Sequence, residues 1–180
     1  MRDLVLYHLM SLDGVAEEPG NWFFNSGDDV FKNLGEIIER QTDVILGRGT
    51  YDYWVGYWPT SPVEPFATFI NTTTKHVATS TALSPTWSNT LAISEPLVDY
   101  VRRLKLADGG DIGVHGSMAV ARSLLAAGLV DVIQLVVAPS LAGAGGRLFG
   151  DLAGVDRLTL ERVAADADGN VFMTYRRRPG

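Results

Sequence analysis

Leu4-Val5-Leu6-Tyr7-His8-Leu9-Met10 is apolar almost without a break, which predicts a central strand covered on both faces. Ser11-Leu12-Asp13-Gly14 ends it, since Asp beside Gly is turn chemistry. Val30, Phe31, Leu34, Ile37 and Ile38 recur at helical spacing and predict an amphipathic helix from about Asp29 to Arg40, capped by Ser26 or Asp28. Val44, Ile45 and Leu46 are a second buried strand. Phe66 to Asn71 is a short helix after a Pro-rich loop, His76 to Thr81 a third strand, and Leu91 to Ser94 a fourth. Pro96 starts a helix that carries Leu97, Val98, Val101 and Leu104. Asp111 to Val114 is a fifth strand, and Ser117 to Ala127 a helix closed by Gly128. Val130 to Ala138 is a β-branched strand ended by Pro139. Leu158 to Val163 and Asn170 to Tyr175 alternate apolar and polar around Asp168-Gly169, which predicts an antiparallel pair. Strands and helices alternate first and strands pair last. The class is α/β, with a mostly parallel sheet and an antiparallel edge.

Two stretches carry candidate chemistry. After the second strand, Gly47 and Gly49 bracket Arg48, Thr50 is a helix N-cap, and Tyr51 to Trp54 begin the helix. A helix start leaves backbone N–H groups unpaired, and its dipole favours an anion there. Glycine lets a phosphate come close to the backbone, and Arg48 adds a charge-assisted contact. An ordinary strand-to-helix turn with a surface arginine is the plainer alternative. A second stretch of the same kind, Asp111-Ile112-Gly113-Val114-His115-Gly116-Ser117-Met118-Ala119, shifts the balance toward a phosphate-bearing cofactor held at both ends. Neither stretch matches GxGxxG or GxxxxGK[ST].

Composition removes several classes. The 180 residues suit one domain, 1–180, with a full core. The formal net charge is −6 and the first long basic run is Arg176-Arg177-Arg178, so no nucleic-acid partner is expected. There is no cysteine, hence no disulfide, thiolate metal site or Cys nucleophile. His8, His76 and His115 are isolated, and no metal-ligand spacing occurs. No signal peptide or apolar span is visible, and a cytoplasmic protein without membrane contact is expected.

Ser11-Leu12-Asp13-Gly14, Gly47-Arg48-Gly49-Thr50-Tyr51, Gly116-Ser117, and Pro139 followed by Gly143, Gly145 and Phe149 resemble the dihydrofolate-reductase-like superfamily. Within it the chain is most similar to the riboflavin-biosynthesis reductase branch, the RibD C-terminal domain, in stand-alone form. The resemblance runs from Leu4 to Tyr175. It implies a three-layer fold of about eight strands with helices on both faces, and NADPH across the strand ends. It implies Gly47, Arg48, Gly49 and Thr50 by the cofactor phosphates, and Thr79, Ser80 and Thr81 by the adenosine 2′-phosphate. Gly116, Ser117 and Met118 would hold the pyrophosphate. Leu9, Ser11, Val15 and Ala16 would line the nicotinamide. A homodimer is also implied. Two departures stand out. The acidic helix residue that engages the pterin in dihydrofolate reductases falls on Phe31, which argues against folate. The Thr79–Thr81 turn lacks the basic residue that many relatives place on the 2′-phosphate.

For the chemistry, the cofactor supplies hydride and the protein supplies position and a proton. Asp13 is the candidate for the proton or for orienting substrate; a simple turn aspartate is the alternative. Trp22, Asp28 and Tyr51 are candidates for the substrate side. The aromatic loop around Trp22, Phe23 and Phe24 is either a lid or a loop pinned to the core. His8 and His115 read as packed strand residues. The expected function is an NADPH-dependent reductase of a small heterocycle, akin to the ribosylamino-pyrimidine of riboflavin synthesis. Lys32, Lys75 and Arg147 are too scattered to form a site for a substrate phosphate. A nucleotide- or pterin-binding module without turnover is the alternative.

Overall fold

One sheet of eight strands organises the chain, in the order β4-β3-β2-β5-β1-β6-β8-β7. The strands are β1 (Leu4–Ser11), β2 (Gln41–Gly47), β3 (Thr74–Ala78), β4 (Thr90–Ile93), β5 (Asp111–His115), β6 (Val132–Ala138), β7 (Leu158–Ala165) and β8 (Val171–Arg177). The helices are α1 (Asp28–Ile38), α2 (Arg48–Trp54), α3 (Phe66–Thr72), α4 (Leu97–Leu106) and α5 (Met118–Ala126). The structure, a computed structural model, describes residues 1–24, 26–150 and 154–178. β1 to β6 pair in parallel, while β8 runs antiparallel to β6 and to β7.

Strand alternation builds the three layers. Leu4 and Leu6 point into the cluster that holds Val101 of α4 and Val120, Ala121 and Leu124 of α5. Val5 and Tyr7 point to the other face, against Val30 and Ile37 of α1. On that same face Val44 and Leu46 meet Tyr51 of α2 and Phe66 and Ile70 of α3. Both faces of β1 are therefore apolar, as its unbroken pattern predicts.

The boundaries correct several expectations. Gly27, not Ser26 or Asp28, is the N-cap of α1. Gly47 caps α2, so Thr50 lies inside the first turn rather than at the cap. β3 ends at Ala78, because Thr79 Oγ1 donates to Thr81 O at 2.9 Å and accepts from Thr81 N, which turns the chain out of the sheet. Among the described residues, no helix is long and apolar enough to cross a membrane.

Candidate functional site

The C-terminal ends of the parallel strands share one edge of the sheet, where ligands bind in open α/β folds. β5 is inserted between β2 and β1, so the corner after β2 adjoins the corner after β5. The two are hydrogen-bonded. Gly47 N donates to Ser117 Oγ at 2.9 Å, Ser117 Oγ donates to Thr50 Oγ1 at 2.7 Å, and Thr50 Oγ1 donates to Gly116 O at 3.2 Å. One corner amide is thus taken by the protein itself. Gly49 is exposed, and a Cβ there would meet nothing within 4 Å, so that side of the corner is open. Gly116 has a local reason to be glycine. Its φ is +65°, and a Cβ would come 2.7 Å from Trp54 Cζ2, so it admits an indole ring in a left-handed turn.

Arg48 joins this edge to the turn after β3. Its Nη1 donates to Thr81 Oγ1 at 2.5 Å and Ala82 O at 3.1 Å, with Thr79 Oγ1 at 3.4 Å. Its Nε lies 2.7 Å from Asp52 one helical turn on. Ser80 is exposed in the same turn. A basic side chain thus reaches the Thr79–Thr81 turn from a different element.

The expected nicotinamide wall is tightly closed. Ser11 is fully buried; its backbone N donates to Val15 O at 2.9 Å and its Oγ accepts from Val15 N at 3.0 Å. Ala16 N donates to Gly146 O at 2.9 Å, and a Cβ on Gly146 would meet Met118 Cε at 2.8 Å. Leu9 is half-buried nearby, against Val15 and Trp22. Glu17 Oε2 accepts from Gly146 N at 2.7 Å, a strap between loops that the sequence did not signal.

Asp13 belongs to the same strap. Its carboxylate accepts from Ser11 Oγ at 2.6 Å, Ala142 N at 3.0 Å and Gly143 N at 2.9 Å. These bonds, the Ser11 hydroxyl foremost, hold its pKa down at about 2. Near neutral pH it has no proton to give. Asp13 ties the 142–143 loop to the end of β1.

Of the three substrate-side candidates, two are buried. Tyr51 is fully buried, its hydroxyl donates to Pro85 O at 2.8 Å and its ring packs on Trp87, so it presents nothing to a ligand. Trp22 is buried with Nε1 donating to Glu17 O at 2.9 Å, the pinned-loop alternative, while Phe24 beside it is 77% exposed. Asp28 opens α1 and is exposed. His8 and His115 are buried strand residues, as expected.

A sequence profile described as the RibD C-terminal domain matches residues 2–172. The uncharacterised protein YwjB of Bacillus subtilis is 28% identical over 166 residues, covering 89% of this chain and 90% of that one. A protein assigned by inference to riboflavin biosynthesis, from Shewanella sp. PV-4, superposes with a TM-score of 0.81 at 18% identity, covering 98% and 99% of the two chains. Dihydrofolate reductase from Enterococcus faecalis, complexed with NADP(H), superposes with a TM-score of 0.67 at 17% identity, covering 98% and 97%. These structures share the fold, and the profile covers nearly the whole sequence. The chain belongs to the RibD C-terminal domain family.

Proposed function

We propose that this chain is an NADPH-dependent reductase of a small heterocyclic substrate. One observation carries it: Ser117 joins two strand-end corners while Arg48 reaches from one of them to the Thr79–Thr81 turn. A pyrophosphate and a 2′-phosphate need those two kinds of place. The first-turn amides of α5, at Met118 and Ala119, face no helical acceptor and favour an anion. Arg48, Thr79 and Thr81 are donors suited to a phosphate monoester, which NADH lacks. The open side of Gly49 leaves room for it. When bound, the cofactor supplies a hydride; the chain supplies position. The homodimer implied by the family is part of this proposal, with sedimentation velocity as its check.

The second reading, a binding module without turnover, is favoured by Asp13 alone, since the expected proton donor is ionised and tethered. Fluorescence titration with NADPH and NADH, then addition of dihydrofolate and aminopyrimidine substrates while following NADPH absorbance, separates the two. The reductase reading expects tight NADPH binding and oxidation with a pyrimidine. Binding without oxidation by any substrate supports the module; no binding removes both.

A further inference from the structure

A cavity of about 520 Å³ lies between the loop that follows β1 and the loop that follows β6. That volume suits a small molecule. Glu17, Glu18, Trp22 and Phe24 line it from the first loop, Ser140 and Leu141 from the second. None of the corner residues, Gly47–Thr50, Thr79–Thr81 or Gly116–Met118, belongs to its lining, so it is a different place from the proposed coenzyme crevice.

The lining has a definite chemistry. Its ionisable side chains are the two glutamates, with no basic residue beside them. Glu17 Oε2 accepts from Gly146 N at 2.7 Å and Glu18 Oε2 accepts from Asn21 Nδ2 at 3.0 Å. Among the described residues neither carboxylate pairs with a cation. Trp22 Nε1 donates to Glu17 O at 2.9 Å, which fixes the indole in its buried position. Phe24 is 77% exposed and Leu141 74%, two large apolar side chains left in water on the lining of one cavity. Singly such residues are ordinary; together on one concave lining they mark a place for an apolar body. Ser140 Oγ, on the same lining, is buried and makes no hydrogen bond, so a polar group there still lacks its partner.

We propose that this cavity binds a small organic cation, an ammonium group borne on an aromatic or aliphatic body. Glu17 and Glu18 supply the counter-charge, Trp22, Phe24 and Leu141 hold the body, and Ser140 Oγ accepts an ammonium N–H. An aromatic face attracts a cation through its quadrupole, and the two carboxylates act in the same direction. An anion, a phosphate-bearing molecule included, would meet two like charges and no basic side chain. A bare metal ion is served poorly as well. It needs several oxygen ligands and gains nothing from apolar walls, and no cluster of three metal-binding side chains occurs among the described residues. The site stands independently of the reductase reading, because it shares no side chain with the coenzyme corners.

Calorimetric titration of the cofactor-free protein with millimolar 2-phenylethylammonium tests this, with 2-phenylethanol and phenylacetate as neutral and anionic probes of similar body. Wild type is expected to bind the cation about tenfold more tightly than either. Glu17→Gln and Glu18→Gln are each expected to weaken the cation about threefold, and together about tenfold, in the range of exposed charge pairs. Phe24→Ala should weaken it about threefold. Glu18 and Phe24 are exposed, so Glu18→Gln and Phe24→Ala should keep the wild-type melting point and an NADPH affinity within about twofold. No uptake of the cation by wild type overturns the proposal. Equal binding of the three probes also overturns it and makes the cavity a plain apolar cleft. So does a cation affinity that the glutamate and Phe24 exchanges leave unchanged, since the cation would then bind elsewhere.

Discussion

Ser117 Oγ accepts the amide proton of Gly47 at 2.9 Å and joins two strand-to-helix corners that lie 70 residues apart in the chain. The contact exists because β5 is inserted beside β2, and Ser117 is the N-cap of α5. Thr50 extends it by accepting from Ser117 and donating to Gly116 O. A hydroxyl acts as acceptor and donor at once here, which only Ser or Thr can do at this size.

Ser117→Ala therefore removes two hydrogen bonds and leaves the Gly47 N–H without its acceptor. A loss of about 1–3 kcal/mol is expected in urea unfolding. NADPH affinity should fall as well, because the corners lose their fixed separation. Ser117→Thr should retain most of both. An alanine variant as stable as wild type would mean the bridge is not made in solution.

Arg48 is a charged side chain that hydrogen-bonds to the Thr79–Thr81 turn. Arg48→Gln is expected to weaken NADPH about tenfold or more while NADH changes about twofold at most. The lost pair with Asp52 is exposed and counts for only a few tenths of a kcal/mol. Parallel fluorescence titrations with the two coenzymes measure the difference. Equal weakening of both would place the 2′-phosphate elsewhere.

Asp13 tests the loop strap through pH. Its folded pKa is depressed to about 2, below the unfolded value. A depressed carboxyl contributes above its unfolded pKa, near 3.9, and that contribution fades as pH falls toward 2. Hydrogen exchange at the Ala142 and Gly143 amides should stay slow at pH 5 and quicken relative to other loops at pH 2–3. Asp13→Asn should quicken the same amides at neutral pH. Turnover by Asp13→Asn should persist, since the wild-type carboxylate holds no proton there. A complete loss of turnover with slow amides would restore the catalytic role.

Much of the sheet was legible in the sequence because each strand carries its own pattern. β1 is nearly continuously apolar from Leu4 to Met10, with buried His8 the polar exception, and β7 and β8 alternate around a turn. The site was legible only in part. Gly47, Arg48, Gly116 and Ser117 announced themselves by corner chemistry. Their mutual bridge did not, since strand order is set by crossovers that leave no local mark. The same holds for Arg48 and Thr81. Tyr51 misled for a smaller reason. α2 begins at Arg48 instead of after Thr50, and that shift in helical phase turns Tyr51 inward.

The end of the sheet away from the crevice offers a control for all of these. Asp43 accepts from His76 Nε2 at 2.7 Å and from Thr42 Oγ1 at 2.8 Å, and pairs with the buried guanidinium of Arg2. His76 Nδ1 lies 2.7 Å from the Tyr100 hydroxyl, which ties α4 to the same group. Burial raises the Asp43 pKa, but hydrogen bonds from His76, Arg2 and Thr42 outweigh it and hold the carboxyl well below the usual range. Asp43→Asn leaves Arg2 without its counter-charge and should cost about 2–4 kcal/mol at pH 7. The sign follows from a depressed folded pKa. The wild-type advantage is full above pH 4–5 and shrinks as the pH drops, because the unfolded chain takes up the proton first. Thermal unfolding of both proteins at pH 7 and pH 3 measures it, with the gap narrower at pH 3. Coenzyme affinity should stay within about twofold, since Asp43 lies four residues before Gly47 in β2 and its partners Arg2 and His76 lie outside the corner. A variant that loses coenzyme binding while its melting point holds would show that the two ends of the sheet are coupled.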